Sequence, residues 1–417
     1  MFICTNNPLW EGKIMKTRIF SSLLLAALLV LAGWEGQAQG FVKKVNCTKG
    51  QTITHALQGF NGISITIQVK GTCSENVDIA RDDVTLIPDP LGGTVIGPDP
   101  NQPTIIVRGF RTVIDGLTVS GGGTGIVVRG GATIQNCTVQ NTGSNGIAFF
   151  HGGNGTVDNC TVQNNGGHGV VIEGGSATVI NSTISSNPSA GIVVSVSGSA
   201  RIGMTDRNQY AGNTISSNQG SGIIISTSGG ANIGGNTISG NGTNPSSVFG
   251  YFGVLINGAS AALVGNNNIT GNNGSGILVQ YSTARVGNPS FGLPITNVIT
   301  GNGTILAPNA ATGGIFANQG SSLQIEGATI NGNTGNGVFL GLRSNARIYN
   351  STVSNNTGNG ILVVQGAGLL LQDPAVTVNG NSLFGLECGG TESSFGGNTS
   401  GISGNTVGQV SPNCSGF

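Results

Sequence analysis

Charge is scarce in this chain: only 8% of its 417 residues are Asp, Glu, Lys or Arg, and 16 bases balance 16 acids. With no basic patch and no acidic run, neither a nucleic-acid surface nor a solvating tail is open to it. Beyond residue 38 no second apolar span appears, no cysteine follows that point to take a lipid, and no wall-sorting tail is visible. The acids are also dispersed. The paired carboxylates of a glycosidase and the multi-oxygen cage of a calcium site must therefore be sought residue by residue.

What is present begins with Met15-Lys16-Thr17-Arg18, the short apolar stretch Ile19 to Leu31, and the small residues of Gly36-Gln37-Ala38. A basic front, an apolar centre too short to span a bilayer and small residues at the cleavage positions describe a secretory signal peptide. Translation from Met1 or Met15, cleavage after Ala38, and release or noncovalent retention at the cell surface are the expectations. Cys4 leaves with the leader. The remaining Cys47, Cys73, Cys137, Cys160, Cys388 and Cys414 are an even set, as disulfides in an exported chain require.

Glycine contributes 74 residues, a share that suggests disorder until the spacing of Val, Ile and Leu is read. A Gly followed by a short apolar strand recurs at Gly125, Gly146, Gly169, Gly191, Gly222, Gly253, Gly276, Gly314, Gly337, Gly360 and Gly385, with a basic interval of 22 to 23 residues. Within each unit a second strand follows, as in Thr138-Val139, Thr161-Val162, Thr214-Ile215 and Thr352-Val353. Four residues after the Thr position stands an Asn on nine successive units: Asn165, Asn187, Asn218, Asn241, Asn272, Asn302, Asn333, Asn356 and Asn381. Asn tolerates a left-handed bend, and its amide can donate and accept along a stack. Helices are excluded by Gly and Asn every few residues, and propeller blades by the short period. Two or three strands per unit then describe one coil of an all-β solenoid, and about eleven coils would make a rod on the order of 50 Å long.

The motifs Gly-[Ile/Val]-x-[Val/Ile] and Thr-[Ile/Val]-x-x-Asn, with the opening segment around Gly71-Thr72-Cys73-Ser74-Glu75-Asn76-Val77, resemble bacterial right-handed parallel β-helix proteins of the pectin-lyase-like superfamily. The resemblance runs from about Val45 to the C-terminus. It implies the fold, and a range of roles that includes lyases, hydrolases and surface proteins. The organisation expected is a leader at 1–38, an N-terminal cap with the first coils at 39–90, the β-helix at 91–390, and a C-terminal cap at 391–417.

Thr52 to Gln58 would close the first coil as a short helix with Ile53, Ala56 and Leu57 turned inward, flanked by a Cys47–Cys73 bond. Cys388–Cys414 would staple the other end. Cys137 and Cys160 share one slot on consecutive coils, which allows a third bond or a stacked pair of small buried thiols. Insertions lengthen three units, with Tyr210, Phe249, Tyr251, Phe252, Tyr281 and Phe291 in or beside them. Covering the coil edges is the leading reading of these aromatics; Tyr251, Phe252 and Phe291 are also ligand-contact candidates.

Gly167-His168-Gly169 matches a fragment of the polygalacturonase signature, but its Asn-Thr-Asp and Arg-Ile-Lys companions are absent. His168 fills the variable slot that Asn145, Ser221 and Asn336 fill elsewhere. The densest acids, Glu75, Asp78, Asp82 and Asp83, are the one place for a Ca²⁺ ion, and solvation of the capping coil is the leading reading there. Arg129, Phe150 and Glu173 hold equivalent positions on three coils, with His151 beside Phe150. Arg129, His151 and Glu173 are the catalytic candidates and Phe150 a sugar-stacking one; a solvated outer face is the simpler account. The Thr column would form an outward hydroxyl lattice. The leading function is a monomeric, non-catalytic scaffold without cofactor that binds a polysaccharide or cell-surface partner; a polysaccharide lyase or hydrolase comes second and ice binding third.

Overall fold

The computed structural model describes residues 40–59, 62–206, 209–244, 250–287, 296–304, 312–372, 376–390 and 392–414. The leader and Phe291 lie outside the described residues. The compact unit that holds the solenoid runs from Val42 to Phe417.

Each coil has three short strands, and one coil shows why. Ile126–Val128, Gly131–Gln135 and Thr138–Gln140 turn alternate aliphatic residues inward, and the residues between them are polar or small except for Val127 on the first strand. The next coil repeats them as Ile147–Phe150, Asn154–Asp158 and Thr161–Gln163, paired parallel and in register. The first strands stack into a 14-stranded sheet, the first face. The second and third strands stack as the second and third faces of one 27-stranded sheet, because the long strands Ile65–Ser74 and Val84–Gly97 carry the pairing round a corner. Columns of inward Ile, Val and Leu fill the interior from Val45 to Ile402, burying apolar area that drives folding at about 25 cal/mol per Å².

The number of coils exceeds the eleven expected, at about 15 turns. The Gly-strand signature misses Val77–Ile79 and Ile105–Val107, which precede Gly125 and are entered from Asn76 and Thr104. It also misses the end. Ser394–Gly397, Ile402–Ser403 and Gly408–Val410 extend all three faces by parallel pairing, so the segment expected as a cap contains a further coil.

The Asn column forms one continuous ladder at the corner between the third and first faces. Each Asn donates its Nδ2 to the Oδ1 of the next, from Asn165 through Asn187 to Asn381, and Asn405 adds a further rung. The left-handed turn itself falls to the preceding residue: Asn164, Ser186, Ser217 and Asn355 have φ of 52 to 56°, and Gly240, Gly271, Gly301 and Gly332 replace them on other coils. Bending and stacking, both assigned to one Asn from the sequence, are thus divided between two residues. The repeat Gly serves this ladder. A Cβ on Gly146 would lie 2.5 Å from Val162 Cγ1 and 2.8 Å from the Asn165 amide nitrogen, so only hydrogen fits.

At the N-terminal end Ile53–Leu57 is helical, with Ile53 and Ala56 buried and the Thr52 side chain accepting from His55 N. Cys47–Cys73 and Cys388–Cys414 are bonded. Cys137 and Cys160 are free and buried, which corrects the third bond to the stacked-thiol alternative. The reason is register: Cys137 Sγ sits 3.1 Å from Gln135 O and 3.4 Å from Ile114 O, and Cys160 Sγ sits 3.2 Å from Asp158 O and 3.4 Å from Ile134 O. The two side chains are copies displaced by one coil, each set against two carbonyl oxygens. The hydrogen bond between the two thiols, with burial, pushes Cys137 up, and the same bond holds Cys160 down. Alkylation in denaturant without reductant, read by peptide mapping, is expected to label Cys137 and Cys160 and none of the other four; unlabelled Cys137 and Cys160 would restore the bond.

Candidate functional site

On the first face, Phe150 and Glu173 are directly paired, and the Arg129 coil is next in register. His151 sits at the corner with φ 49° and donates its backbone N–H to Glu173 O at 3.2 Å. Its ring lies 6.2 Å from that of Phe150. Arg129 and His151 are exposed. The ion pairs among the described residues are Arg108–Asp78, Arg111–Asp82 and Arg111–Asp83, so the set shares a face without closing into a charge relay.

His168 is a structural residue. Its Nδ1 accepts from Ala190 N at 3.0 Å, and burial pushes the imidazole down to about 4. Asn145 Oδ1 makes the same link one coil earlier, to His168 N. The acids of the first coils are likewise engaged. Glu75 caps the helix through Ile53 N, Thr54 N and Thr54 Oγ1, Asp78 holds Arg108, and Asp82 accepts from Phe110 N. The Arg111 guanidinium, donating to Asp83, holds that carboxyl below the usual carboxylate range. These four acids, where a Ca²⁺ ion was the lesser reading beside solvation of the capping coil, each have their own partners. Among the described residues, the three metal-ligand side chains whose donor atoms converge are Cys47, Cys73 and Glu75, two of them in a disulfide and the third capping the helix.

Of the loop aromatics, Phe252 is only 6% exposed and its ring lies 4.6 Å from that of Tyr251. Both pack over Gly274, where a Cβ would meet them at 2.5 to 2.8 Å. Phe252 therefore covers a coil edge and is corrected from ligand contact to packing. Tyr281 is different. It is 65% exposed and occupies the left-handed corner between the first and second faces, the slot His151 holds farther along the rod. Beside it runs a groove of about 540 Å³ lined by Ser228, Gly258, Ser260, Thr283 and Ser322. A second hollow of about 410 Å³ shares Gly230, Ser260 and Thr283 and continues on the second face to Arg285.

The right-handed β-helix region family matches residues 103–251 and 246–407. The chain belongs to that family. Solved structures similar to this β-helix include the A-module of the Azotobacter vinelandii mannuronan C-5 epimerase AlgE4, at 14% identity over 86% of this chain and 92% of that one, TM-score 0.45. Another is the pectate lyase Pel9A, at 13% identity over 70% and 79%, TM-score 0.39. A third is the catalytic domain of a GH87 α-1,3-glucanase, at 14% identity over 90% and 68%, TM-score 0.34. No curated protein sequence matches it.

This β-helix also carries a second ladder that the repeat reading passed over. Ser182 N donates to Asn213 Oδ1, and Asn213, Asn236 and Asn267 pass their amides on to Asn297. It occupies the slot of Cys137 and Cys160. The signal was there in Asn213-Thr214 and Asn236-Thr237, one residue before the Thr column.

Proposed function

We propose that this chain is an exported, non-catalytic β-helix that recognises a glycan or another cell-surface partner. The leader pattern motivates export. The corner groove carries the recognition: an exposed Tyr281 ring stands over a hollow of about 540 Å³ lined by hydroxyl side chains and glycine backbone. A sugar ring stacks its C–H face on an aromatic while its hydroxyls exchange hydrogen bonds with Ser and Thr, and the volume suits a small oligosaccharide. The test is a glycan array followed by titration of its strongest ligand. Tyr281→Ala should weaken that ligand at least tenfold with an unchanged unfolding midpoint, and undiminished binding would sink the groove. Reducing-end and unsaturated-product assays accompany it. The register of Arg129, His151 and Glu173 favours cleavage as the second reading. Product formed by the wild type and lost in the triple alanine variant would replace the scaffold reading with that one.

A further inference from the structure

The second face presents one outward column whose members are paired coil by coil: Thr178, Arg201, Asn232, Ala262, Arg285, Gln324, Arg347 and Leu370. It contains three arginines and no acid. Parallel pairing sets Arg285 two coils or about 10 Å from Arg347, and three coils or about 14 Å from Arg201. Among the described residues none of the three is in an ion pair, in contrast to Arg108 and Arg111, each held by aspartates at the N-terminal end. Near Arg285 the acid Glu326 accepts from the Tyr349 hydroxyl at 2.6 Å, and that hydroxyl accepts from Gln324 Nε2; near Arg201, which donates to Thr205 O at 3.1 Å, the acid is Asp206. In sequence, the adjoining insertion Asn288 to Ile295 has no acid either.

Two further observations point to a ligand. Arg285 is half-buried, and its Nε has no hydrogen-bond partner among the described residues. And where the column shrinks to Ala262, a hollow of about 410 Å³ opens against Arg285, walled by Ser199, Asn232, Ser260 and Thr283. Farther along, the Arg347 guanidinium is ordered over the Tyr349 ring at 5.5 Å.

We propose that this face binds a linear polyanion lying parallel to the rod axis, its sulfate or carboxylate groups engaged in turn by Arg201, Arg285 and Arg347. Guanidinium forks pair with such oxyanions through two parallel hydrogen bonds. A rigid rod with a fixed rise per coil spaces them regularly, and the hollow beside Arg285 accepts the backbone of the polymer. This binding does not depend on the Tyr281 ring.

The experiment is calorimetric titration of the full mature chain with heparin, polygalacturonate, and their desulfated and methyl-esterified forms. Binding to heparin or polygalacturonate, weakened by added salt, is expected; at least tenfold loss on desulfating heparin identifies sulfate, and the same loss on esterifying polygalacturonate identifies carboxylate. Replacing Arg201, Arg285 and Arg347 together by Gln should weaken it at least tenfold. Lys44, Lys49 and Lys70 replaced by Gln remove the same charge elsewhere and should change it less than twofold. Equal loss in the two triple variants, or equal binding of the neutralised polymers, overturns the proposal. So does failure of both polymers to bind the folded wild type. Neutral oligosaccharide binding that Tyr281→Ala abolishes would stand or fall separately, so the two readings fail independently.

Discussion

Asn272→Ala is expected to lower the stability of the rod by about 3 kcal/mol, the upper end of what one unsatisfied buried polar group costs. The Asn272 side chain is fully buried. Its Nδ2 donates to Ile238 O at 3.0 Å and Asn302 Oδ1 at 2.9 Å, and its Oδ1 accepts from Asn241 N and Asn241 Nδ2, both at 3.0 Å. Alanine leaves groups on two neighbouring coils without partners, in a buried space against which Gly253 is packed. Denaturant unfolding followed by circular dichroism measures it. Because coils contact chiefly their neighbours, the transition should also broaden as the rod breaks at that point. A midpoint within error of the wild type would mean that water replaces the amide.

His168 gives the second large effect, through pH. The ring is neutral in the folded state, with its pKa pushed by burial from 6.5 to about 4. Between these values the unfolded chain binds the proton and the folded chain does not, so acid favours unfolding. Stability is complete above about pH 6.5, declines as pH falls toward 4, and levels off below it; the full drop is about 3 kcal/mol. His168→Asn should remove that component, because Asn145 and Asn336 fill the same slot and accept the neighbouring backbone N–H. Unfolding midpoints from pH 7 to about 4 decide it. A variant that keeps the wild-type acid sensitivity would place the effect elsewhere.

The fold was readable where a residue type is compelled coil after coil. Gly146 and its equivalents have no room for a Cβ, and Asn165 to Asn381 each complete a bond from the coil before. The slot of Cys137 was harder. It runs through Cys160, Ser182 and Asn213 to Ala328 and Ser351, because a small thiol, a hydroxyl or an amide can each fill it. The last coil was missed for a related reason: register aligns Gln409, not a glycine, with Gly385, so the repeat-glycine signature lapses there although Asn405 keeps its place in the ladder. Candidate sites were less legible still. Outward positions of the second face are under no packing demand, so Arg201, Arg285 and Arg347 show no periodic mark until register aligns them. The Arg129, His151 and Glu173 alignment was correct as an alignment, but a shared face does not make side chains meet.

The ladder has a sense of direction. Every amide from Asn165 to Asn405 donates toward the C-terminal neighbour and accepts from the N-terminal one, as in the in-register stacks of amyloid fibres, where each chain templates the next. A second molecule could extend such a stack only by offering an acceptor to its last amide or a donor to its first carbonyl. Both places are occupied from within the chain: Thr142 Oγ1 donates to Asn165 Oδ1 at 3.0 Å, and Gln409 Oε1 accepts from Asn405 Nδ2 at 3.0 Å. Changing Gln409 or Thr142 would therefore bear less on the fold of one molecule than on whether molecules begin to recruit one another end to end.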